Sequence, residues 1–528
     1  MTTVTITVAD PGGVDTNSIF ASTAPYSVDN VASEYGGTLG RFYFNRYVNG
    51  AVDNSERQLF IATGKGIELT GVEDLRGTVS AVECWRTDDV GGGGTTLRAS
   101  IAFSLDGLWA TRGGVTLESF AMLTPDTLMG RVMQGSSASL VLIGNVGNDT
   151  LRGSFLDDRL QGGKGADRLF GGEGADTADY STSDLGVTVN LATGAASGGH
   201  AAGDRFSSIE NVVGSAFADT LIGDDNANFF DGGTGLDLID GAGGDDFIFG
   251  RDGGGTLRGG AGNDRVDGGV DADKIYGGSG NDELRVGEGS NYGYGEDGND
   301  ILLGASGIDR LFGGAGNDRL SGEDGNDTLR GDAGADYLSG GNGSDRASYT
   351  SATKAVIVSL ANPAINSGDA EGDTFNSIEN LTGSHFSDAL NGNSATNAIN
   401  GGDGNDAIKG YAGNDTLTGY TGADTFIFNT ALNGSTNVDT ITDYSISADT
   451  IQLDDAVFTA LTTTGTLPAA AFRANTTGLA GDASDRIIYE TDTGELYYDA
   501  DGSGAGGGIL FAKIGIGLAL TNADFVVI

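Results

Sequence analysis

Carboxylates recur at nearly every ninth residue through the middle of this sequence, each inside the same glycine-rich phrase. Residues 313–321 read GGAGNDRLS, and GEDGNDTLR, GDAGADYLS and GGNGSDRAS follow in register. The pattern is G-G-x-G-x-D-x-U-x, with U a large apolar residue. The Asp supplies hard, anionic oxygen, and a glycine turn beside it offers backbone carbonyls. Together these suit Ca²⁺, which takes about six to eight oxygen ligands. Glycine also permits positive φ and the close approach of successive turns. The triplet around U is a very short strand, with the apolar side chain inward and its neighbours outward.

The phrase repeats twenty-four times in three arrays, 144–179, 214–348 and 383–427. Position six is Asp in twenty copies: Asp149, Asp158, Asp167, Asp176, Asp219, Asp237, Asp246, Asp264, Asp273, Asp282, Asp300, Asp309, Asp318, Asp327, Asp336, Asp345, Asp388, Asp406, Asp415 and Asp424. Asn228, Gly255, Asn291 and Asn397 are the exceptions, and Ala178, Gly293 and Ala347 depart at position eight. Two phrases would close one flattened coil. Coils stacked about 4.7–4.9 Å apart would make the long array a rod of about seven coils.

In these repeats the chain resembles the RTX (haemolysin-type) calcium-binding family over about 144–427. The resemblance implies a parallel β-roll, with Ca²⁺ held between coils by position-six carboxylates and glycine-turn carbonyls. Carried over, the best sites involve Asp167, Asp264, Asp282, Asp300, Asp318, Asp327, Asp336, Asp406 and Asp415. The repeats starting at Gly153, Gly214, Gly223, Gly268, Gly383 and Gly392 lack the glycine at position four, which puts their sites in doubt. VGEGSNYGY (286–294) loses its first Gly, its Asp and its apolar residue together, and reads as a break or a binding-face feature. Without calcium the expected state is a disordered Gly/Asp-rich chain, because one apolar residue in nine is a thin core to set against backbone entropy.

The charge balance points the same way. There are 28 Lys and Arg against 74 Asp and Glu, a formal charge of −46. Such a chain repels itself when compact. About 18 calcium ions would bring about +36 and cancel most of it. The acidic balance argues against nucleic acid, which calls for a basic footprint. No run of apolar residues is long enough for a membrane span, and MTTVTITVAD has no signal-peptide character.

The flanks and linkers read as β-structure. Segments 41–48, 57–63, 96–105 and 138–144 predict strands in an N-terminal β-domain, 1–143, of unknown role. Its run into the first array loosely resembles the non-catalytic leaders of other RTX proteins. The linkers 180–213 and 349–382 align with each other at an offset of 169, YSTSDLGVTVNL with YTSATKAVIVSL and SSIENVVGSAFADTL with NSIENLTGSHFSDAL. They should start a new roll segment or bend the rod. Residues 428–528 form a β-rich region that resembles the serralysin-type C-terminus. NADFVVI at 522–528 looks like a type I secretion signal. Asp499, Asp501 and Ser503 start like an EF-hand loop, but position twelve is Leu510 rather than Glu, so that reading fails.

Catalytic spacing is missing. His200 and His385 are the two histidines, neither in an HExxH setting, and no histidine occurs in 1–199. Glu68, Glu73, Asp74 and Asp106 read as turn carboxylates, Trp85 and Trp109 as core or a sugar-binding face, and Cys84 as a small buried hydrophobe. The sequence therefore predicts an all-β, non-enzymatic, calcium-binding protein. It would be exported by type I machinery, fold on Ca²⁺ outside the cell, and serve as a structural or adhesive component through cell-surface glycan or self-assembly. The alternative is a secreted enzyme or lectin whose working domain is 1–143.

Overall fold

A computed structural model describes residues 139–528, apart from Asn145 and 503–506, and six strands in the preceding stretch. Those strands are Ile6–Ala9, Ile19–Ala21, Gly40–Val48, Ala51–Ala62, Val82–Arg86 and Leu97–Ile101. Gly40–Val48 and Ala51–Ala62 pair antiparallel, as do Val82–Arg86 and Leu97–Ile101. The side chains of Cys84 and Trp85, together with Trp109, Glu68, Glu73, Asp74, Asp106 and Ser503, lie outside the described residues. Among the described residues the other regular elements are short 3-10 turns, and no helix is long and apolar enough to cross a membrane.

The chain divides into two compact units, 1–259 and 260–528. In the first, three-residue strands recur at about nine-residue spacing, and each pairs parallel with the strand eighteen residues on. Val141 sits beside Arg159, Thr150 beside Arg168, Thr220 beside Leu238 and Phe229 beside Phe247. Two consecutive phrases thus close one coil of a parallel β-solenoid. The middle residue of each strand points inward: Leu160, Leu169, Val212, Leu221, Phe230, Ile239 and Ile248 are all fully buried.

The second unit repeats the arrangement with longer strands. One ladder runs through Lys274–Ser279, Tyr292–Asp297, Arg310–Ala315, Thr328–Ala333 and Arg346–Ser348. The other runs through Arg265–Asp267, Glu283–Arg285, Ile301–Gly307, Arg319–Gly325, Tyr337–Gly343 and Thr374–Asn376. Further on, Thr425–Phe428 pairs parallel with Thr450–Leu453, which pairs parallel with Phe525–Val527. The stretch 522–528 is therefore folded in: Phe525 and Val527 are buried, and Asp524 closes a capping box with Thr521. In 485–513, Ile487–Glu490, Glu495–Tyr498 and Ile509–Lys513 form an antiparallel meander.

The expected break at 286–294 is not there. Tyr292, Gly293 and Tyr294 pair in register with Lys274, Ile275 and Tyr276 on one side and with Arg310, Leu311 and Phe312 on the other. The irregularities compensate one another. Gly293 leaves a hole at position eight, and Val286, standing where position one is normally Gly, fills it. A Cβ at Gly293 would lie 2.9 Å from Val286 Cγ1, and Val286 is fully buried.

The linkers also continue the solenoid. Arg205–Ser207 pairs parallel with Arg168–Phe170, and Asn211–Val213 with Thr177–Asp179, so the end of 180–213 supplies the next coil. In 349–382, Thr374–Asn376 and Asn380–Thr382 do the same for Tyr337–Gly343 and Arg346–Ser348.

Candidate metal centre

All twenty position-six aspartates are buried. They stand at the corner of each coil, just before the inward strand, and the parallel register brings those eighteen residues apart next to each other. The backbone N–H of Asp300 donates to Asp318 Oδ1 at 2.8 Å, Asp318 to Asp336 at 2.8 Å, and Asp309 to Asp327 at 2.8 Å. The same bond joins Asp149 to Asp167 and Asp388 to Asp406. One carboxylate oxygen therefore serves the backbone of the preceding coil.

The other oxygen is left open in a defined subset. Oδ2 of Asp167, Asp176, Asp282, Asp300, Asp318, Asp327, Asp336, Asp345, Asp406 and Asp415 is buried with no hydrogen-bond partner. An unsatisfied buried charge is costly. Burial accordingly pushes Asp167, Asp176, Asp282, Asp318 and Asp406 up to about 7, with neighbouring carboxylates adding to the rise. No Lys or Arg appears among the groups acting on these five. The open oxygen faces the glycine turn. At Gly313 a Cβ would sit 2.3 Å from Asp318 Oδ2 and 2.8 Å from the Gly331 carbonyl oxygen. At Gly316, with φ +136°, a Cβ would lie 1.7 Å from the Gly298 carbonyl, so stacking of the coils requires glycine there.

Position two distinguishes these ten sites from a set of closed ones; Asp309, whose Oδ2 is also buried without a partner, follows Ala305 and falls in neither set. In each of those ten repeats its φ is positive, even where the residue is Glu296, Glu323, Asp332 or Tyr411, an arrangement that costs about 1–3 kcal/mol outside glycine. In five repeats where φ is not positive, the position-two N–H caps the side-chain oxygen instead. Ser215 donates to Asp219 Oδ2 at 2.5 Å and Ser384 to Asp388 Oδ2 at 2.5 Å; Ser154 caps Asp158 in the same way. Asp224 and Asn393 donate to the side-chain oxygens of Asn228 and Asn397 at 2.9 and 2.8 Å. These are five of the six repeats that lack glycine at position four. The sixth, starting at Gly268, has Gly269 at position two with φ +100°.

Asn291 shows another way to close a site. Its Nδ2 donates to the Gly287 carbonyl at 2.9 Å and to Asp309 Oδ1 at 3.0 Å. An amide hydrogen there bridges carbonyl and carboxylate, the role a cation would fill.

Several carboxylates continue the ladder from outside the nonapeptides. Asp204 and Asp373 accept from the N–H groups of Asp167 and Asp336, and each also accepts a 2.7 Å bond from a buried tyrosine, Tyr180 or Tyr349. Glu210 and Glu379 accept from Asp176 and Asp345. Asp439 and Asp449 accept from Asp415 and Asp424. Burial beside Asp415 pushes Asp439 up to about 8. The first two pairs lie at the linker offset of 169, and the glutamates fall within the shared SIEN, so a signal was present in the sequence.

The donor set fits a hard cation that takes much of its coordination from backbone. Among the described residues no three carboxylate, histidine or cysteine side chains converge on a metal site. Ca²⁺ accepts carbonyl oxygens as readily as carboxylates. His200 stands 3.8 Å from Asp184 and His385 2.9 Å from Asp403, both away from the ladder.

Comparison with known families agrees with this geometry. Residues 143–178, 207–237, 222–257, 249–284, 276–311, 294–329, 312–347 and 391–426 match the RTX calcium-binding nonapeptide repeat in blocks of four copies. Between these matches, 179–206 covers most of the first linker, and 348–390 covers the second linker and most of the repeat starting at Gly383. No curated protein matches the chain in sequence. Residues 143–178, 207–347 and 391–426 are thus RTX haemolysin-type calcium-binding nonapeptide repeats, and within each unit they fold as parallel β-solenoid coils.

Proposed function

We propose that the protein works outside the cell as a calcium-folded structural or adhesive component of a surface or matrix. The observation that carries this reading is the column of buried, unpartnered Asp Oδ2 atoms in a chain of charge −46. Asp167 and Asp176 in the first unit would hold the ions. In the second unit Asp282, Asp300, Asp318, Asp327, Asp336, Asp345, Asp406 and Asp415 would do so. Each would act with carbonyls of the adjoining glycine turns. A bound Ca²⁺ supplies positive charge and oxygen coordination that ties coil to coil. The Asp ladder positions the carboxylates, the glycine turns bring carbonyls to them, and the inward Leu, Ile and Val residues exclude water. No catalytic residue is assigned.

RTX repeat proteins are generally secreted, and extracellular modules work at millimolar calcium. Low calcium inside the cell would keep the chain unfolded for a type I exporter. Burial of Phe525 and Val527 in the folded state supports a C-terminal signal that is read before folding.

The test is small-angle scattering and sedimentation velocity on the whole chain, from excess chelator to about 10 mM calcium. Compaction followed by growth into assemblies, or by adhesion to a surface glycan, is the expected result. A radius that ignores calcium would overturn the proposal.

A further inference from the structure

One sheet of the second unit carries two outward columns without acids in a chain of charge −46. At the start of its strands, two columns of outer positions run across the coils. The first reads Lys274, Tyr292, Arg310, Thr328 and Arg346, and the second Tyr276, Tyr294, Phe312 and Arg330. Neither column contains an Asp or Glu; the next positions along the same strands hold Glu296, Asp297 and Asp332. Lys274, Arg310 and Arg346 are exposed and have no carboxylate partner among the described residues. They alternate with other residues, so a cation appears at every second coil, about 9–10 Å apart. Arg330 is held by Asp332 at 2.9 Å. On the opposite sheet Arg265 and Arg285 are both paired with Glu283.

The aromatic rings limit what this face can bind. Tyr294 is stacked between Tyr276, with centroids 4.8 Å apart, and Phe312, at 4.9 Å. Tyr292 has Lys274 and Arg310 over its ring at 5.7 and 5.3 Å. The ring faces are thus occupied, leaving phenol hydroxyls, ring edges and the unpaired cations for a ligand. Nucleic acid bound as a single strand stacks its bases on open ring faces. As a duplex it carries one charge per about 1.7 Å, which a chain of −46 would repel. An extended polysaccharide bearing a carboxylate on every second sugar fits better. Its hydroxyls suit the phenols, and its sparse acids match the cation spacing.

We propose that this face, centred on Lys274, Tyr292, Arg310 and Arg346, binds a uronate-bearing polysaccharide lying across the coils. The proposal rests on the extracellular, calcium-folded reading above and names a partner for it. Gly293 and Val286 keep the Tyr292 strand in register, so the irregular repeat 286–294 contributes two adjacent tyrosines to the face at no loss of coil continuity.

The experiment uses the whole chain in millimolar calcium, with hyaluronan oligosaccharides as probe and dextran and a DNA oligonucleotide as controls. Compaction is followed by scattering on the same samples. Hyaluronan should bind, with affinity falling as salt rises. The combined K274A, R310A and R346A substitutions should weaken it by about tenfold or more while calcium-dependent compaction stays unchanged. R310E alone, a single exposed change, should give the same direction if the triple variant folds poorly. Compaction without hyaluronan binding, equal binding by the variants, or tighter binding of DNA or dextran would overturn the polysaccharide assignment and leave the calcium reading standing. Loss of compaction in the unmodified chain would overturn both, because the face forms only when the coils stack.

Discussion

A single atom, the second oxygen of each position-six aspartate, distinguishes the repeats. In ten repeats it is open beside a position two of positive φ, and in three it is capped by the position-two N–H. Asn291 is the informative exception, since its amide bridges Gly287 and Asp309 without a cation. Asn291→Asp should therefore lower stability by about 1–3 kcal/mol at the lowest calcium that still folds the chain, through two lost hydrogen bonds and a second carboxylate beside Asp309. In calcium it should add one ion to the stoichiometry; flow dialysis and urea titration would check both. The linker tyrosines form a second residue-level device. Tyr349 is buried and donates to Asp373, which burial pushes up to about 7. Tyr349→Phe removes the donor and leaves a buried carboxylate oxygen unsatisfied. The expected loss is about 1–3 kcal/mol in urea unfolding with calcium present.

Each coil, taken as an element, is defined by two inward apolar residues and two glycine turns, so it tolerates an exchange of roles if volume is conserved. The strand Tyr292–Asp297 shows this: Val286 supplies the volume that Gly293 omits. Val286→Gly should cost about 2–4 kcal/mol by opening a cavity. Gly293→Leu alone should cost about 1–3 kcal/mol by overpacking against Val286, Leu302 and Leu311. The double variant restores the regular phrase and should recover most of the loss. A double-mutant cycle by urea denaturation measures the coupling, and simple additivity would contradict the compensation. The linkers obey the same logic: each leaves the roll and returns with a strand in register, with Asp204 and Glu210, or Asp373 and Glu379, in the carboxylate positions of the missing phrases.

Across the whole molecule, the ladder makes folding a contest among protons, calcium and self-repulsion. Burial raises the folded-state values of Asp167, Asp176, Asp282, Asp318 and Asp406 from 3.8 to about 7. Between those values the calcium-free folded state binds more protons than the unfolded chain. Its stability therefore falls as pH rises through that window and is greatest below it. In chelator, the expanded chain should compact as pH is lowered from about 7 toward 4, and falling net charge acts in the same direction. With calcium the trend should reverse, because protons compete for the same oxygens. A chelated chain whose radius is flat across this window would contradict the account.

Much of this was legible in the sequence because the repeat is its own alignment. Twenty-four copies in one register disclose the coil length, the inward residue, the carboxylate at the corner and the hard cation those carboxylates suit. They do so because each position answers a local constraint: φ at the glycines, burial at position eight, charge at position six. Of the six repeats without glycine at position four, three have a capped carboxylate and two a capped amide oxygen, and the local cause is the conformation at position two. Other features depended on contacts between coils, and only the tertiary structure decided them. Val286 fills the space above Gly293 from seven residues earlier in the chain, which no position-by-position reading of the phrase reveals. Asp204 and Asp373 enter the ladder 37 residues from their partners, a distance set by the path of the linker rather than by the nine-residue period. The basic and aromatic face exists because residues eighteen apart are stacked into columns. In the linear chain those side chains are separated by acids and glycines, and the pattern is invisible until the coils close.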